Sequence, residues 1–327
     1  MALKVFSAVV IADTRFHVAP NLNNKTTKEK CDFLEACATH ANLAFVNLNG
    51  RAVAAPDIQL LVAPEYFFGL PTSDAGNSVR AYDEAAHDDI VRRCTAISAR
   101  YPKMLMIPGT VLFKCRLTRD QREQTADRLQ EKLDRRDAQK NGSSSGLALV
   151  KQGRTGIEAV RLKGFGIKEK LGLRDPRLFG YNRAYVYFGG RKIKTFNKAE
   201  NAAEFSSENP KPTLIPGLSR NVFHYPGTRL RMGLEICADI GRIAGMGERV
   251  DIRIIVSAAT PVGSGALPTD DTQLLIHAKA STDGARASGA MRATMGSNIG
   301  AIFQTLANTA PVANNLRCQM VDLNATP

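Results

Sequence analysis

Short apolar runs rich in β-branched residues alternate along this chain with longer segments whose apolar residues recur at helical spacing. The runs predict strands over Val5–Ala12, Ile58–Ala63, Met104–Phe113, Ala184–Phe188, Arg191–Phe196, Leu230–Cys237 and Val250–Ala258. The helical spacing predicts helices over Thr26–Ala41, Tyr82–Tyr101 and Thr272–Ala280. Alternating strands and helices predict a layered α/β architecture. Because 44% of the 327 residues are hydrophobic, one core can span the whole chain, and we expect a single domain over 1–327.

A polar segment at about 115–180 interrupts this alternation. Leu117–Lys140 is almost entirely charged or polar, and Gly142–Gly146 has the composition of a flexible linker. The segment holds too few apolar residues for a core of its own, so we interpret it as an insertion in the α/β domain.

Composition excludes several classes of protein. No apolar run approaches the roughly 20 residues that a membrane-spanning helix needs, and the N-terminus lacks the regions of a signal peptide. We therefore expect a soluble, cytoplasmic protein. The six cysteines form no C-x-x-C pair, and the five histidines show no metal-ligand spacing, so we expect free thiols and neither a metal nor another cofactor.

The formal charge of +13 raises the question of a nucleic-acid partner. The basic residues lack the interleaved aromatics of an RNA-stacking motif and follow no recognition-helix or finger pattern. These absences argue against nucleic acid, and they favour a solvated basic face or an approach surface for an anionic substrate.

Three residues at strand ends could carry chemistry. Glu65 follows the apolar run Ile58–Ala63, where burial can tune a carboxylate for general-base work. Cys237 ends another predicted strand, and a thiol is strongly nucleophilic once it is ionised beside a cation. Lys198 follows a third strand and could stabilise both a thiolate and an oxyanion. Taken singly, each fits an ordinary structural role at least as well.

The order of the motifs around these residues resembles the nitrilase, or carbon–nitrogen hydrolase, superfamily. First, an apolar strand ends in Pro64-Glu65. Next, a strand that begins with Tyr-Asn reaches a Gly-Gly turn, and the strand after the turn ends in an aromatic-x-Lys motif. A Pro-Gly pair and then a Gly-x-x-Ile-Cys-x-Asp motif follow. These motifs read Val62-Ala63-Pro64-Glu65, Tyr181-Asn182 through Phe196-Asn197-Lys198, Pro216-Gly217, and Gly233-Leu234-Glu235-Ile236-Cys237-Ala238-Asp239.

This resemblance implies a four-layer αββα sandwich and a Glu65–Lys198–Cys237 triad without a cofactor. It implies that Glu65 takes the thiol proton, Cys237 forms a thioester, and Lys198 with the backbone N–H of Ala238 stabilises the oxyanion. It also implies a supporting glutamate, for which Glu204 and Glu208 are both candidates. A homodimer or larger assembly is expected as well, built through about 241–249 and the C-terminal portion.

Departures from the family pattern place the chain in a divergent branch. Asp239-Ile240-Gly241-Arg242 replaces the usual Asp-x-Arg-Phe, and the chain contains no tryptophan. Cleavage of a small-molecule amide is the leading hypothesis, and nitrile hydrolysis, carbamoyl-amide cleavage and acyl transfer stay open. The alternative is a nitrilase-fold binding or effector protein that docks to a macromolecule.

Overall fold

Two β-sheets lie face to face in the computed structural model of the chain. The structure describes residues 3–12, 22, 25–49, 57–71, 79–118, 120–121, 178–199, 204–205, 208, 212–215, 217, 219–258, 272, 274–280, 289–292 and 316–323. The strands are β1 (Leu3–Val10), β2 (Ile58–Val62), β3 (Leu70–Pro71), β4 (Val79–Arg80), β5 (Met104–Ile107), β6 (Thr110–Arg116), β7 (Leu178–Phe188), β8 (Arg191–Asn197), β9 (Thr213–Leu214), β10 (Val222–His224), β11 (Arg231–Ile236), β12 (Ile252–Ser257), β13 (Leu274–Lys279), β14 (Gly289–Arg292) and β15 (Leu316–Leu323). The helices are α1 (Thr27–Asn49), α2 (Glu84–Arg100) and α3 (Arg242–Gly245).

The first sheet has the strand order β15-β1-β2-β5-β7-β6, and β8 and β9 also pair with β7. Strands β1, β2 and β5 run parallel, and β15 is antiparallel to β1. Strand β7 is antiparallel to β5, β6 and β8 and parallel to β9. The second sheet has the order β10-β11-β12-β13-β14, with a parallel centre of β11, β12 and β13. Parallel strands in a row end at the same edge of their sheet, which brings the residues after them together.

Apolar side chains from both sheets fill the space between them. On β2 these are Ile58, Leu60 and Val62, and alternate residues of β11 and β12 meet them. Alternation along a strand puts the intervening residues on the opposite face. On the first sheet that face packs against α1 and α2 through residues such as Leu34 and Ile90.

The helices begin where local hydrogen bonds satisfy their free N–H groups. At α1 the Thr26 hydroxyl accepts from the Glu29 N–H at 3.2 Å, and the Glu29 carboxylate accepts from the Thr26 N–H at 2.8 Å. This is a reciprocal capping box. At α2 the Asp83 side chain caps the Ala86 N–H. Both predicted N-terminal helices are thus confirmed, and α1 extends beyond its predicted end to Asn49.

The outer face of the second sheet is covered as well. Glu235, Arg253 and His277 point away from the inter-sheet core and are nevertheless buried. A Cβ built on Gly233 of β11 would meet the Ile243 side chain of α3 at 2.4 Å, so α3 lies against this face. Helices therefore flank both sheets, and the predicted αββα order of layers is confirmed.

Two predicted elements differ from the observed ones. Thr272–Ala280, predicted as a helix, contains strand β13, because its continuous apolar run is buried on both faces between β12 and β14. Met104–Phe113, predicted as one strand, divides into β5 and β6. Gly109 lies at this break with φ +74°, and a Cβ there would lie 2.0 Å from the Pro64 carbonyl oxygen.

Most of the predicted insertion lies outside the described residues, but its two ends are visible. Strand β6 runs to Arg116, and β7 begins at Leu178, which pairs with Arg116. The sheet therefore includes Cys115, Arg116 and 178–180, which the sequence places in the predicted insertion. The chain leaves the sheet after Arg116 and re-enters it at Leu178, at paired positions of two antiparallel strands.

Candidate active site

Glu65 lies just past the carboxyl end of β2 and is fully buried. Its Oε1 accepts hydrogen bonds from Asn182 Nδ2 and Lys198 Nζ, both at 2.9 Å. Its Oε2 accepts from the backbone N–H of Ala258 at 3.0 Å, directly after β12 of the second sheet. Donors from both sheets hold this carboxylate in one orientation.

Lys198 follows β8 and has no exposed surface. Its backbone N–H donates to the Asn182 carbonyl at 2.8 Å, and its own carbonyl accepts from the Gly217 N–H at 2.9 Å. The Nζ donates to Glu65 and to Glu204, and it lies 5.9 Å from the centre of the Tyr66 ring. A buried ammonium between two carboxylates has the partners that make burial of a charge tolerable.

The pKa of Lys198 reflects a competition between burial and charge. Burial alone would lower this pKa, but the negative charges of Glu65 and Glu204 outweigh it and hold the pKa of Lys198 well above its usual value. Lys198 is therefore a fixed cation at neutral pH. It is suited to hold negative charge, and it is unsuited to act as a neutral amine.

Glu204 is the one of the two candidate glutamates that contacts Lys198. Its Oε1 accepts from Lys198 Nζ and, at 3.2 Å, from the Tyr66 hydroxyl. The next residue, Phe205, packs its ring on Gly180, where a Cβ would come within 2.2 Å of that ring. A side chain at position 180 would thus displace the segment that carries Glu204.

Glu208 lies elsewhere and anchors the same segment. Its Oε1 accepts from the Ala81 N–H at 2.8 Å, and its Oε2 accepts from Lys114 Nζ at 2.5 Å. The carboxylate is almost completely buried, whereas Lys114 is partly exposed. Glu208 therefore ties the loop beyond Glu204 to β6 and to the chain after β4.

Cys237 begins a 3₁₀ turn, Cys237–Asp239, directly after β11. Its φ is +48°, which is rare for a residue with a side chain, and such strain concentrates at functional sites. Cys237 is 7% exposed, and the following Ala238 is exposed. The sharp turn places the thiol at the end of β11, directly before the exposed Ala238.

Asp239 connects this turn to the lysine segment. Its two carboxylate oxygens accept from the backbone N–H of Ala199 at 3.1 and 3.0 Å. Ala199 is next to Lys198, so the turn that bears the thiol and the loop that bears the ammonium are fastened together. Cys237 and Lys198 are also near enough for the Cys237 charge to raise the pKa of Lys198.

The three residues singled out in the sequence therefore meet in one place. Sequence reasoning assigned no role to Tyr66, Asn182 or Asp239. Each was detectable in principle, because Tyr66 follows the Pro-Glu, Asn182 belongs to the Tyr-Asn motif and Asp239 ends the cysteine motif. Chemically, the arrangement offers a thiol, a hydrogen-bonded carboxylate and a fixed cation, as acyl transfer requires.

Two absences hold for the part of the chain that the structure describes. Within it, no three side chains of the metal-ligating types come together in a cluster that could hold an ion. Its helices include none with the length and apolar character needed to cross a bilayer.

Comparison with known proteins finds similarity in fold. No protein-family profile matches the chain, and no curated protein matches it. A CN-hydrolase superfamily protein from Xanthomonas campestris, solved with an arsenic adduct in its active site, is 11% identical over 99% of this chain and 91% of its own, with a TM-score of 0.46. An amidase from Nesterenkonia sp. is 11% identical over 85% of this chain and 75% of its own, with a TM-score of 0.41.

The chain is also similar to part of a longer protein. The glutamine-dependent NAD⁺ synthetase from Acinetobacter baumannii is 13% identical over 85% of this chain, with a TM-score of 0.44. The matched region spans 38% of that synthetase. In fold, the chain is similar to a CN-hydrolase superfamily protein, to an amidase and to an NAD⁺ synthetase.

Proposed function

We propose that this chain is a divergent member of the nitrilase superfamily that hydrolyses a non-peptide carbon–nitrogen bond. Cys237 is the nucleophile, Glu65 the general base and Lys198 the cation that stabilises developing negative charge. The observation that carries the proposal is the buried Lys198 ammonium, which donates to Glu65 and Glu204 while lying within electrostatic reach of Cys237.

The first half of the reaction forms a thioester. Glu65 takes the proton of the Cys237 thiol, and the sulfur attacks the carbon of the amide. The carbonyl oxygen becomes an oxyanion in the tetrahedral intermediate. As the intermediate collapses, the carbon–nitrogen bond breaks and Glu65 returns its proton to the departing amine.

The second half releases the acid. Glu65 takes a proton from water, and the resulting hydroxide attacks the thioester carbon. The bond to sulfur then breaks, and the proton on Glu65 restores the thiol. One carboxylate can serve both halves because donors on both of its oxygens hold it in place.

Lys198 has a donor to spare for the oxyanion. An ammonium group carries three N–H donors, and two of them point to Glu65 and Glu204. The third, together with the N–H of Ala238, can face the substrate oxygen. Glu204 then acts as the supporting glutamate, since its contact with Tyr66 orients the carboxylate that holds Lys198.

The substrate class follows from the chemistry of the site. The proposed substrate is a small amide or nitrile, and the basic charge of the chain admits an anionic one. Amide cleavage is preferred to nitrile hydrolysis because thioester formation and hydrolysis complete it without an extra hydration step. Protein assembly as a homo-oligomer belongs to the same proposal.

A panel of small amides and nitriles, followed by ammonia or amine release and by mass spectrometry of the intact protein, tests the proposal. We expect an acyl adduct on Cys237 and turnover that Cys237→Ala abolishes. Lys198→Met should reduce kcat by about 10²–10³-fold, the usual effect of removing one oxyanion donor. Cys115→Ala, which removes another buried thiol, is the matched control and should retain activity.

The outcomes separate the proposal from its alternative. If no compound reacts and Cys237→Ala leaves every measured property unchanged, the hydrolase proposal fails. A binding or effector role would then survive Cys237→Ala, because docking does not require a nucleophile.

A further inference from the structure

Strand β8 presents a row of cations at an edge of the first sheet. Arg191, Lys192 and Lys194 are exposed, and β8 pairs with β7 on one side only among the described strands. Arg183 of β7 adds a fourth cation beside them. None of these residues belongs to the site around Cys237.

These four cations lack carboxylate partners in the described part of the chain. Three exposed cations elsewhere are paired: Lys25 with Glu29, Lys28 with Asp32, and Arg220 with Glu248. The β8 edge is thus a concentration of uncompensated positive charge. The like charges at this edge repel one another, and a partner of opposite charge would reduce that repulsion.

The cations lie on both faces of the edge. A bulge between Val186 and Tyr187 sets Lys194 opposite Val186 and Lys192 opposite Tyr187. Val186 packs in the inter-sheet core, whereas Tyr187 packs on the helix side. A ligand must therefore run along the rim of the sheet to meet both lysines, which suits an extended chain better than a flat surface.

Two of the cations are held in place by aromatic rings. The Arg183 guanidinium lies 4.3 Å from the centre of the Tyr181 ring, and its Nε donates to Asn197 at 2.6 Å. Lys192 Nζ lies 5.2 Å from the centre of the Tyr185 ring. Because these side chains are already ordered, less conformational entropy is lost when they bind an anionic group.

We propose that the β8 edge binds an extended acidic protein segment by strand addition. Such a segment would use both features of the edge: its open backbone hydrogen-bonding side and its cations, which would face carboxylates across the new strand pair. A second copy of β8 would place lysines opposite lysines, so the same charges oppose self-pairing.

Other polyanions fit fewer of these features. A nucleic acid could use the charges, but the neighbouring aromatic rings of Tyr181 and Tyr185 are buried and offer bases no stacking platform. A membrane surface favours apolar side chains that can insert, and the exposed large apolar residues in the described chain, Leu43 and Val46, lie on α1 instead.

The test uses a labelled peptide in which glutamates alternate with valine or threonine, and a glutamine version of it. Binding to the whole protein is measured by fluorescence anisotropy at several salt concentrations. The variant Arg191→Gln/Lys192→Gln/Lys194→Gln removes three cations from the edge. The matched control Lys25→Gln/Lys28→Gln/Arg220→Gln removes three paired cations elsewhere, so both variants have the same net charge.

We expect the acidic peptide to bind, with the edge variant weakened about tenfold and the control within about twofold of the parent. Amide exchange in residues 191–197 should slow when the acidic peptide binds. Equal weakening in both variants, or no protection of 191–197, overturns the proposal. So does tighter binding of a single-stranded RNA oligomer or of anionic vesicles, with loss in the edge variant, because the edge would then serve phosphate groups. Lys194→Gln alone provides a milder variant should the triple change impair folding.

Discussion

Six thiols of this chain are buried, yet their surroundings differ. Burial raises the pKa of Cys115 to about 11 and that of Cys318 to about 12. Cys237 is as buried as Cys115, but it lies in the field of the Lys198 ammonium. Since the thiolate is the reactive form, environment rather than exposure should decide which thiol reacts first.

We predict that iodoacetamide modifies Cys237 faster than any other cysteine near pH 7.5. Peptide mapping over a time course measures the rates, and Cys115 is the internal control because its exposed fraction is 8% against 7% for Cys237. Lys198→Met should slow the modification of Cys237 and leave that of Cys115 unchanged. Modification of Cys115 first would show that exposure dominates and that Cys237 is not activated.

Lys30 of α1 is a second residue whose surroundings have a measurable effect. Its Nζ is buried and donates to the Gly69 carbonyl at 2.5 Å, and Tyr82 presents its ring 5.9 Å away. Burial lowers its pKa from 10.5 to about 7. Between pH 7 and 10.5 the unfolded chain therefore holds a proton that the folded chain lacks, so this group makes folding more favourable as pH rises.

We predict that Lys30→Met stabilises the protein most at pH 7 and below, with a benefit that shrinks toward pH 10. The difference in unfolding free energy should change by up to about 1.4 kcal/mol per pH unit in this window. Urea unfolding of the parent and the variant at pH 7, 8 and 9 gives the difference in their unfolding free energies. Groups that titrate in the same way in both proteins do not contribute to this difference. A difference that stays constant over this range would mean that Lys30 keeps its ordinary pKa in the folded chain.

Among the structural elements, the segment that carries Glu204 depends on a remote anchor. We predict that Glu208→Gln lowers the free energy of unfolding by about 1–3 kcal/mol, because it breaks the buried side of the pair with Lys114. A double-mutant cycle with Lys114→Met, measured by urea unfolding, should show coupling between the two positions. Strictly additive effects would indicate that the ion pair contributes nothing and that only the bond to Ala81 matters.

The elements also show how far sequence reasoning reaches. Apolar runs such as Ile58–Ala63 identify buried strands, and the helical spacing of apolar residues places the start of α1 at about Thr26. The apolar run in β13 does not identify its element, and the sequence predicts a helix there. An apolar stretch that is buried on both faces has no periodicity that separates a strand from a helix. Strand β15 pairs with β1 from the far end of the chain, and no local pattern encodes that register.

The site was predictable to a similar degree. Ordered motifs pointed to Glu65, Lys198 and Cys237, since each ends a recognisable strand. Spacing could not choose between Glu204 and Glu208, because the choice depends on how the loop folds over Gly180 and on which carboxylate Lys114 takes. Such loop geometry is set by tertiary contacts rather than by periodicity.

At the scale of the whole molecule, the paired positions Arg116 and Leu178 define where the chain can be shortened. We predict that replacing residues 119–176 by a short hairpin turn leaves the melting temperature within about 5 °C of the parent, equivalent to one or two kcal/mol. Differential scanning calorimetry and circular dichroism measure this. An insoluble or unfolded product would mean that the replaced residues form part of the core. In a folded product we expect an altered substrate preference, because insertions beside strand ends often line the mouth of a site.

Glu65 accepts one hydrogen bond from Ala258, after a strand of the second sheet, and another from Lys198, after a strand of the first sheet. The carboxylate therefore links the two sheets at one point. Both hydrogen bonds persist only while the two sheets stay in register, so a slip of one sheet relative to the other breaks one of them. Activity should then fail in mild denaturant before circular dichroism records any loss of strands. The carboxylate that we propose as the base would then report on the alignment of the two sheets.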